Sequence, residues 1–155
     1  MSSSYDPTSR LWDLAVPHAA VPHTARFCDA ADALCASGLS AVAVVDDERR
    51  VLGLFTEDDF LAGVFPRYLV ELHHTAFTPA GLDAVTAAAR AAAGESVQRH
   101  MRPAVVVDAD ASALHVAEVF LHCEWGAVAV VRDHRLVGML AQVAFCRQLV
   151  PALHA

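Results

Sequence analysis

Nowhere does this sequence run to the roughly 18 consecutive apolar residues that a membrane-spanning helix needs, although 55% of its 155 residues are hydrophobic and its mean hydropathy is +0.38. The apolar residues are therefore expected to build a core rather than a span, in a soluble protein with no membrane partner. At this length such a core removes roughly 68–70% of the unfolded surface from water without staples. The opening MSSSYDPTSR lacks the apolar centre of a secretory signal, so a cytoplasmic location is expected. The four cysteines, Cys28, Cys35, Cys123 and Cys146, form no CxxC and are then expected to be reduced. Positive charge is also scarce: 11 Lys plus Arg face 18 Asp plus Glu, for a net charge of −7, and the arginines are scattered. Nucleic-acid binders carry a basic stripe. Without one, DNA and RNA are not expected partners.

Catalytic signatures are missing as well. There is no Gly-rich phosphate loop, no Ser-centred elbow and no pair of carboxylates able to converge on one substrate, because Glu57, Asp58 and Asp59 are consecutive. No enzyme activity is expected. Nine histidines invite a metal reading, but the spacing gives it little support. His18 and His23 flank a strand on opposite faces, and adjacent His73 and His74 diverge by about 100° on a helix. His122, Cys123 and Glu124 offer no paired spacing of the kind structural zinc takes. The histidines read as solvated or hydrogen-bonded, and no metal site is expected.

What the sequence does contain is a duplication. AVAVV occurs at 41–45 and again at 127–131, 86 positions on. GLFTEDDF at 53–60 has a counterpart 85 positions later, GMLAQVAF at 138–145. Phe27, Ala31 and Leu34 mark one helix face, and Leu114, Ala117 and Leu121 are its expected equivalent. The β-branched runs read as strands buried beneath helices. Two of them joined by a polar turn, DDERR or RDHR, form a hairpin. Short strands at Ala19–Val21 and Val105–Val107 precede the first helix of each unit. After each hairpin comes another helix, with Thr56 as an N-cap and Asp59 completing a capping-box pair. The order is strand, helix, strand, strand, helix, twice over. The fold class is α/β (α+β): two units, each a small mixed three-stranded sheet with two helices. A flexible tail (1–10) leads into unit 1 (11–65), a helical insert (66–95) and unit 2 (96–150).

This order, closed by Gly53, Leu54, Phe55, Thr56 and Asp59, resembles a tandem pair of CBS domains, the Bateman module, over roughly residues 11–62 and 97–149. SVQRHMRPAVVVDADAS at 96–112 looks like the family's lead into a second unit. The family's proline early in the second strand is replaced by Ala43 and Ala129. The resemblance implies units related by a pseudo-twofold axis. It also implies a regulatory sensor that binds an adenosine-containing ligand, such as AMP, ADP, ATP or S-adenosylmethionine, in an inter-unit cleft. By this analogy Asp59 accepts from the ribose hydroxyls and Thr56 lies at a helix N-terminus where phosphate is favoured. The adenine slot would be made near Ser40, Ala41 and Val42, by Leu54, and by Val105 and Val106 of the other unit. The phosphate-pairing cation that the family often places at the start of the second strand is absent, since Ser40 and Ala41 stand there. Arg102 and His100 are the cations able to approach, and a ligand with little phosphate charge is favoured. The second cleft, with Ala141 and Ala144 in place of Thr56 and Asp59, is expected to be empty or weak.

The competing reading is that Thr56 and Asp59 only cap a helix, in an assembly module with both clefts unused. In either case a homodimer is expected, through the helices at Asp58–Val64 and Gln142–Leu149 with Phe60, Leu61, Phe145 and Leu149 to cover; a regulated partner protein remains to be identified. In the insert, Thr78-Pro79 starts and Gly94 stops a helix with an apolar stripe of Leu82, Val85 and Ala89. A further helix is expected from Phe65 to Phe77. Cys28, Cys35 and Cys123 are expected to pack in the core, and Trp125 to sit at the mouth of the second cleft as a packing aromatic, with stacking on a base as the alternative role.

Overall fold

The computed structural model describes residues 11–65 and 82–154. Unit 1 comprises β1 (Ala20–Pro22), α2 (Phe27–Ser37), β2 (Ala41–Val45), β3 (Val51–Thr56) and α3 (Glu57–Val64), preceded by a one-turn helix α1 (Leu11–Leu14). Helix α4 (Leu82–Ala93) packs on α2 and α3. Unit 2 comprises β4 (Val106–Asp108), α5 (Ala113–His122), β5 (Ala127–Arg132), β6 (Arg135–Ala141) and α6 (Gln142–Leu149). Each unit is a three-stranded mixed sheet. The orders are β1-β2-β3 and β4-β5-β6, with the first pair parallel and the second antiparallel. Both AVAVV segments are central strands, and Ala41 to Val44 and Ala127 to Val130 are wholly buried. Even the irregularities repeat, with a register shift at Val44/Val45 and another at Val130/Val131.

The hairpin turns close differently. Asp133 and His134 both adopt positive φ, at 51° and 64°, the combination that joins two strands through two residues. In unit 1 the Asp46 carboxylate accepts from the backbone N–H groups of Glu48 and Arg50, and Arg49 takes positive φ at 61°.

The helix faces correct one expectation. Helix α2 buries Phe27, Ala30 and Leu34, whereas α5 buries Val116 and Phe120 and leaves Leu114 and Leu121 each 82% exposed. The equivalence runs at 86 positions, Ala30 to Val116 and Leu34 to Phe120. Matching Phe27 with Leu114 instead, at 87, turned the assigned face by one residue, or about 100°. Phe60 and Phe145 are likewise not free for a partner. Phe60 stacks on Phe27 at 6.0 Å between centroids, and Phe145 is buried in unit 2's core. Leu61 and Leu149 remain exposed. Cys35 is exposed rather than packed, and Cys123 lies just beyond α5. The insert helix stops before Gly94 as expected, with Val85 and Ala89 half-buried and Ala92 buried. Its expected start at Thr78-Pro79 and the helix ending at Phe77 lie outside the described residues.

The units are joined by exchange. Leu11, which precedes β1, is buried in the core of unit 2, and Val97, which precedes β4, is buried in the core of unit 1. Each lead-in also pairs with the third strand of the other unit. Val16 and Met139 exchange backbone hydrogen bonds of 2.8 and 3.0 Å, and Leu54 and Arg102 exchange two of 2.9 Å. The repeated glycines stand beside these crossings. A Cβ on Gly53 would lie 2.8 Å from the Arg102 carbonyl oxygen, and one on Gly138 would lie 2.8 Å from the Val16 carbonyl carbon. Only a residue without a side chain lets the two backbones approach this closely.

Candidate functional site

Strand β3 runs into α3 through Thr56, whose extended backbone (φ −110°, ψ 168°) makes it the N-cap. Its hydroxyl accepts from the Asp59 N–H at 3.3 Å, while the Asp59 carboxylate accepts from the Thr56 N–H at 2.9 Å and from the Thr56 hydroxyl at 2.8 Å. The capping box read from the sequence is therefore complete. Thr56 is 1% exposed and is the one polar residue fully buried among those described. Its burial is tolerated because both its polar groups are paired.

The same carboxylate is claimed from the other unit. Beyond its crossing with Leu54, Arg102 turns its guanidinium onto Asp59. Nε donates to both carboxylate oxygens at 3.1 and 2.9 Å, and Nη2 donates to Oδ1 at 2.5 Å. The guanidinium carbon lies 4.2 Å from the centroid of the Trp125 ring, a cation over an aromatic face. The hydrogen bonds it donates to Asp59 hold the Arg102 pKa above its ordinary value, against partial desolvation, and the fields of Asp59, Asp58 and Glu124 add to this. The pair is reachable from solvent, with side-chain exposures of 24% for Arg102 and 11% for Asp59. The Trp125 backbone carbonyl accepts from the Ser40 hydroxyl at 3.2 Å. Its indole N–H is buried and meets no acceptor among the described residues.

Thr56, Asp59 and Arg102 are thus brought together, and Trp125, expected at the mouth of the second cleft, joins them here instead because Arg102 lies over its ring. The other expected residues are dispersed. Leu54, Ala41 and Val42 have no exposed surface and belong to the core of unit 1. Ser40 opens instead on a recess of about 560 Å³ between the starts of α3 and α6, lined also by Leu39, Glu57, Gly126 and Gln142, with no Lys, Arg or His. Val105 packs against the core of unit 2. Val106 is 46% exposed and faces a recess of about 430 Å³ with Arg50, Val51, Val131 and His134. His100 is engaged away from Arg102. It pairs with Glu95 at 2.7 Å, and its ring meets Phe27 edge-on at 4.8 Å. A third recess, of about 510 Å³, lies between α3 and α4 and is bordered by Asp59, Ala62, Ala88, Glu95, Arg99 and His100.

The equivalent positions in unit 2 hold none of this chemistry. Ala141 stands for Thr56 and makes no side-chain cap, Ala144 stands for Asp59, and Val16 occupies the crossing position of Arg102. Among the described residues no helix is long and apolar enough to cross a membrane.

Comparison with known proteins agrees with this architecture. The family model for the CBS domain matches twice, at residues 17–65 and 95–149. A search of curated proteins found no match. Among solved structures, a CBS domain-containing protein of unknown function from Kribbella flavida DSM 17836 superimposes with a TM-score of 0.73 at 18% identity, covering 92% of this chain and 99% of that one. The CBS-pair protein CBSX2 from Arabidopsis thaliana gives 0.71 at 18% identity, over 94% and 97% of the two chains. A putative acetoin utilization protein, AcuB, from Vibrio cholerae gives 0.66 at 19% identity, over 94% and 93%.

Proposed function

Since the chain belongs to the CBS-domain family, whose paired units commonly act as regulatory or ligand-sensing modules, we propose that it is a non-catalytic sensor binding an adenosine-containing ligand in the cleft at Thr56 and Asp59. One observation carries the reading. A solvent-reachable carboxylate stands at the start of α3, paired to an arginine that lies over the Trp125 indole, whereas Ala144 stands at the equivalent place in unit 2. A carboxylate offers two acceptors matched to the vicinal hydroxyls of a ribose, and an indole offers a surface for a purine. Ligand binding would report to a regulated partner by changing how this chain pairs with that partner or with itself. Self-association would use α3 and α6, where Leu61, Val143 and Leu149 are exposed. Light scattering at tens of micromolar should then give twice the 16.5 kDa chain mass; a monomer there removes the dimer.

Calorimetric titration of adenosine, AMP, ATP and S-adenosylmethionine tests the site. Asp59→Ala and Asp59→Asn should weaken the preferred ligand about tenfold or more, since each loses charge-assisted hydrogen bonds. Unchanged affinity in both variants would reduce Asp59 to a helix cap.

A further inference from the structure

The bidentate pair on Asp59 leaves no free face of that carboxylate for a ribose. We propose that Arg102 is a built-in occupant of the site, a tethered cation that the ligand must displace, and that the cleft therefore takes adenosine compounds without a phosphate. The inference rests on the sensor reading above and specifies the class of ligand and its competitor.

Arg102 already makes the contacts that such a ligand would make. A planar group lies over the Trp125 ring and directs paired N–H donors into the carboxylate; a nucleoside would offer a planar base and paired O–H donors to the same two groups. The fold does not need the ion pair to hold the crossing. Val16 makes the equivalent backbone exchange with Met139, at 2.8 and 3.0 Å, with an isopropyl side chain and an alanine at the place of Asp59. Asp58 and Glu124 lie close enough to act on the guanidinium, so a displaced Arg102 keeps a carboxylate partner. The buried indole N–H of Trp125 meets no acceptor among the described residues, and the guanidinium, a donor only, cannot supply one. Charge decides the ligand class. Asp59, Asp58 and Glu124 all act on the Arg102 guanidinium, and the recess at Ser40 adds Glu57 and no cation; Arg99 and His100 border Asp59 on the α4 side, together with Glu95. A phosphate placed among them would face net repulsion, whereas an uncharged or cationic adenosine compound would not.

The test is calorimetric titration of adenosine and AMP into wild type, Arg102→Ala and Arg102→Met, the last keeping an apolar stem against Trp125. Wild type should bind adenosine more tightly than AMP, and both variants should bind adenosine about tenfold more tightly than wild type, because a charge-assisted competitor has gone. Raising the salt concentration should strengthen adenosine binding to wild type, by screening the competing pair, and leave the variants unmoved. Adenosine binding that is unchanged or weaker in both variants overturns the proposal while the sensor reading stands. A wild type that prefers AMP, with the preference lost in the variants, makes Arg102 a phosphate ligand and also overturns it. If neither compound binds wild type or variant, the displaceable occupant and the adenosine site fall together. Adenosine binding confined to the variants is the strongest form of the proposal.

Discussion

Where each lead-in crosses the other unit, the two halves of this chain treat the backbone alike and the side chains differently. Gly53 and Gly138 admit the crossing strand, and paired backbone hydrogen bonds seal it in both places. Around the first crossing stand Thr56, Asp59 and Arg102; around the second stand Ala141, Ala144 and Val16. The polar residues change as a set. That teaches that the carboxylate and the arginine form one device, and that the fold itself is indifferent to whether the device is present.

The comparison breaks most readily at the shared feature. Gly53→Ala and Gly138→Ala each force a Cβ against atoms of the crossing chain, backbone in both cases, and should each cost about 3 kcal/mol. Urea denaturation should show the two losses to be similar; a tolerated Gly138→Ala would mean that the crossings are not equivalent. Next comes the polar set. Asp59→Ala removes the acceptor that the Arg102 guanidinium and the Thr56 N–H share and should cost about 2 kcal/mol. Adding Thr56→Ala and Arg102→Val, which copies the residues of unit 2, should recover more than half of that loss. Additive losses would show instead that each polar residue stabilises unit 1 independently. The smallest effect concerns the helix faces. Val116→Ala should cost about 1.5 kcal/mol, for two lost methyl groups in the core, while Leu114→Ser at an 82% exposed position should change stability by less than about 0.5 kcal/mol. Equal costs would undo the 86-residue equivalence.

Much of this was legible in the sequence because the duplicated segments are the central strands and the strand-to-helix junctions. Their constraints are local: AVAVV must be apolar on both faces, and Thr56 caps a residue three positions away. The insert's stop at Gly94 was visible for the same reason. The face of α5 was misread because Leu114 and Leu121 satisfy helical spacing just as well as Val116 and Phe120, and spacing cannot tell which of two apolar stripes meets the sheet. The Arg102–Asp59 pair spans 43 residues and exists only because the lead-in to unit 2 crosses β3. The sequence pattern did bring Arg102 forward as a candidate cation, but for a phosphate. Trp125 became part of the site through the same crossing. The adenine slot drawn through Ala41, Val42 and Leu54 met a different difficulty: these residues have no exposed surface, so the strand positions used to locate the slot describe its foundation.

The exchanged lead-ins also govern the order in which the chain can complete itself. As the polypeptide is made, Leu54 finds Arg102 after 48 further residues, so unit 1 can close its crossing while unit 2 is still emerging. Val16 waits 123 residues for Met139. The segment ahead of β1 is thus seated only once β6 has been made, and until then Leu11 lacks the unit 2 core that buries it. Closing so long a loop slows folding. It also makes the finished molecule cooperative, because neither unit can open without drawing a piece of its own fold out of its neighbour.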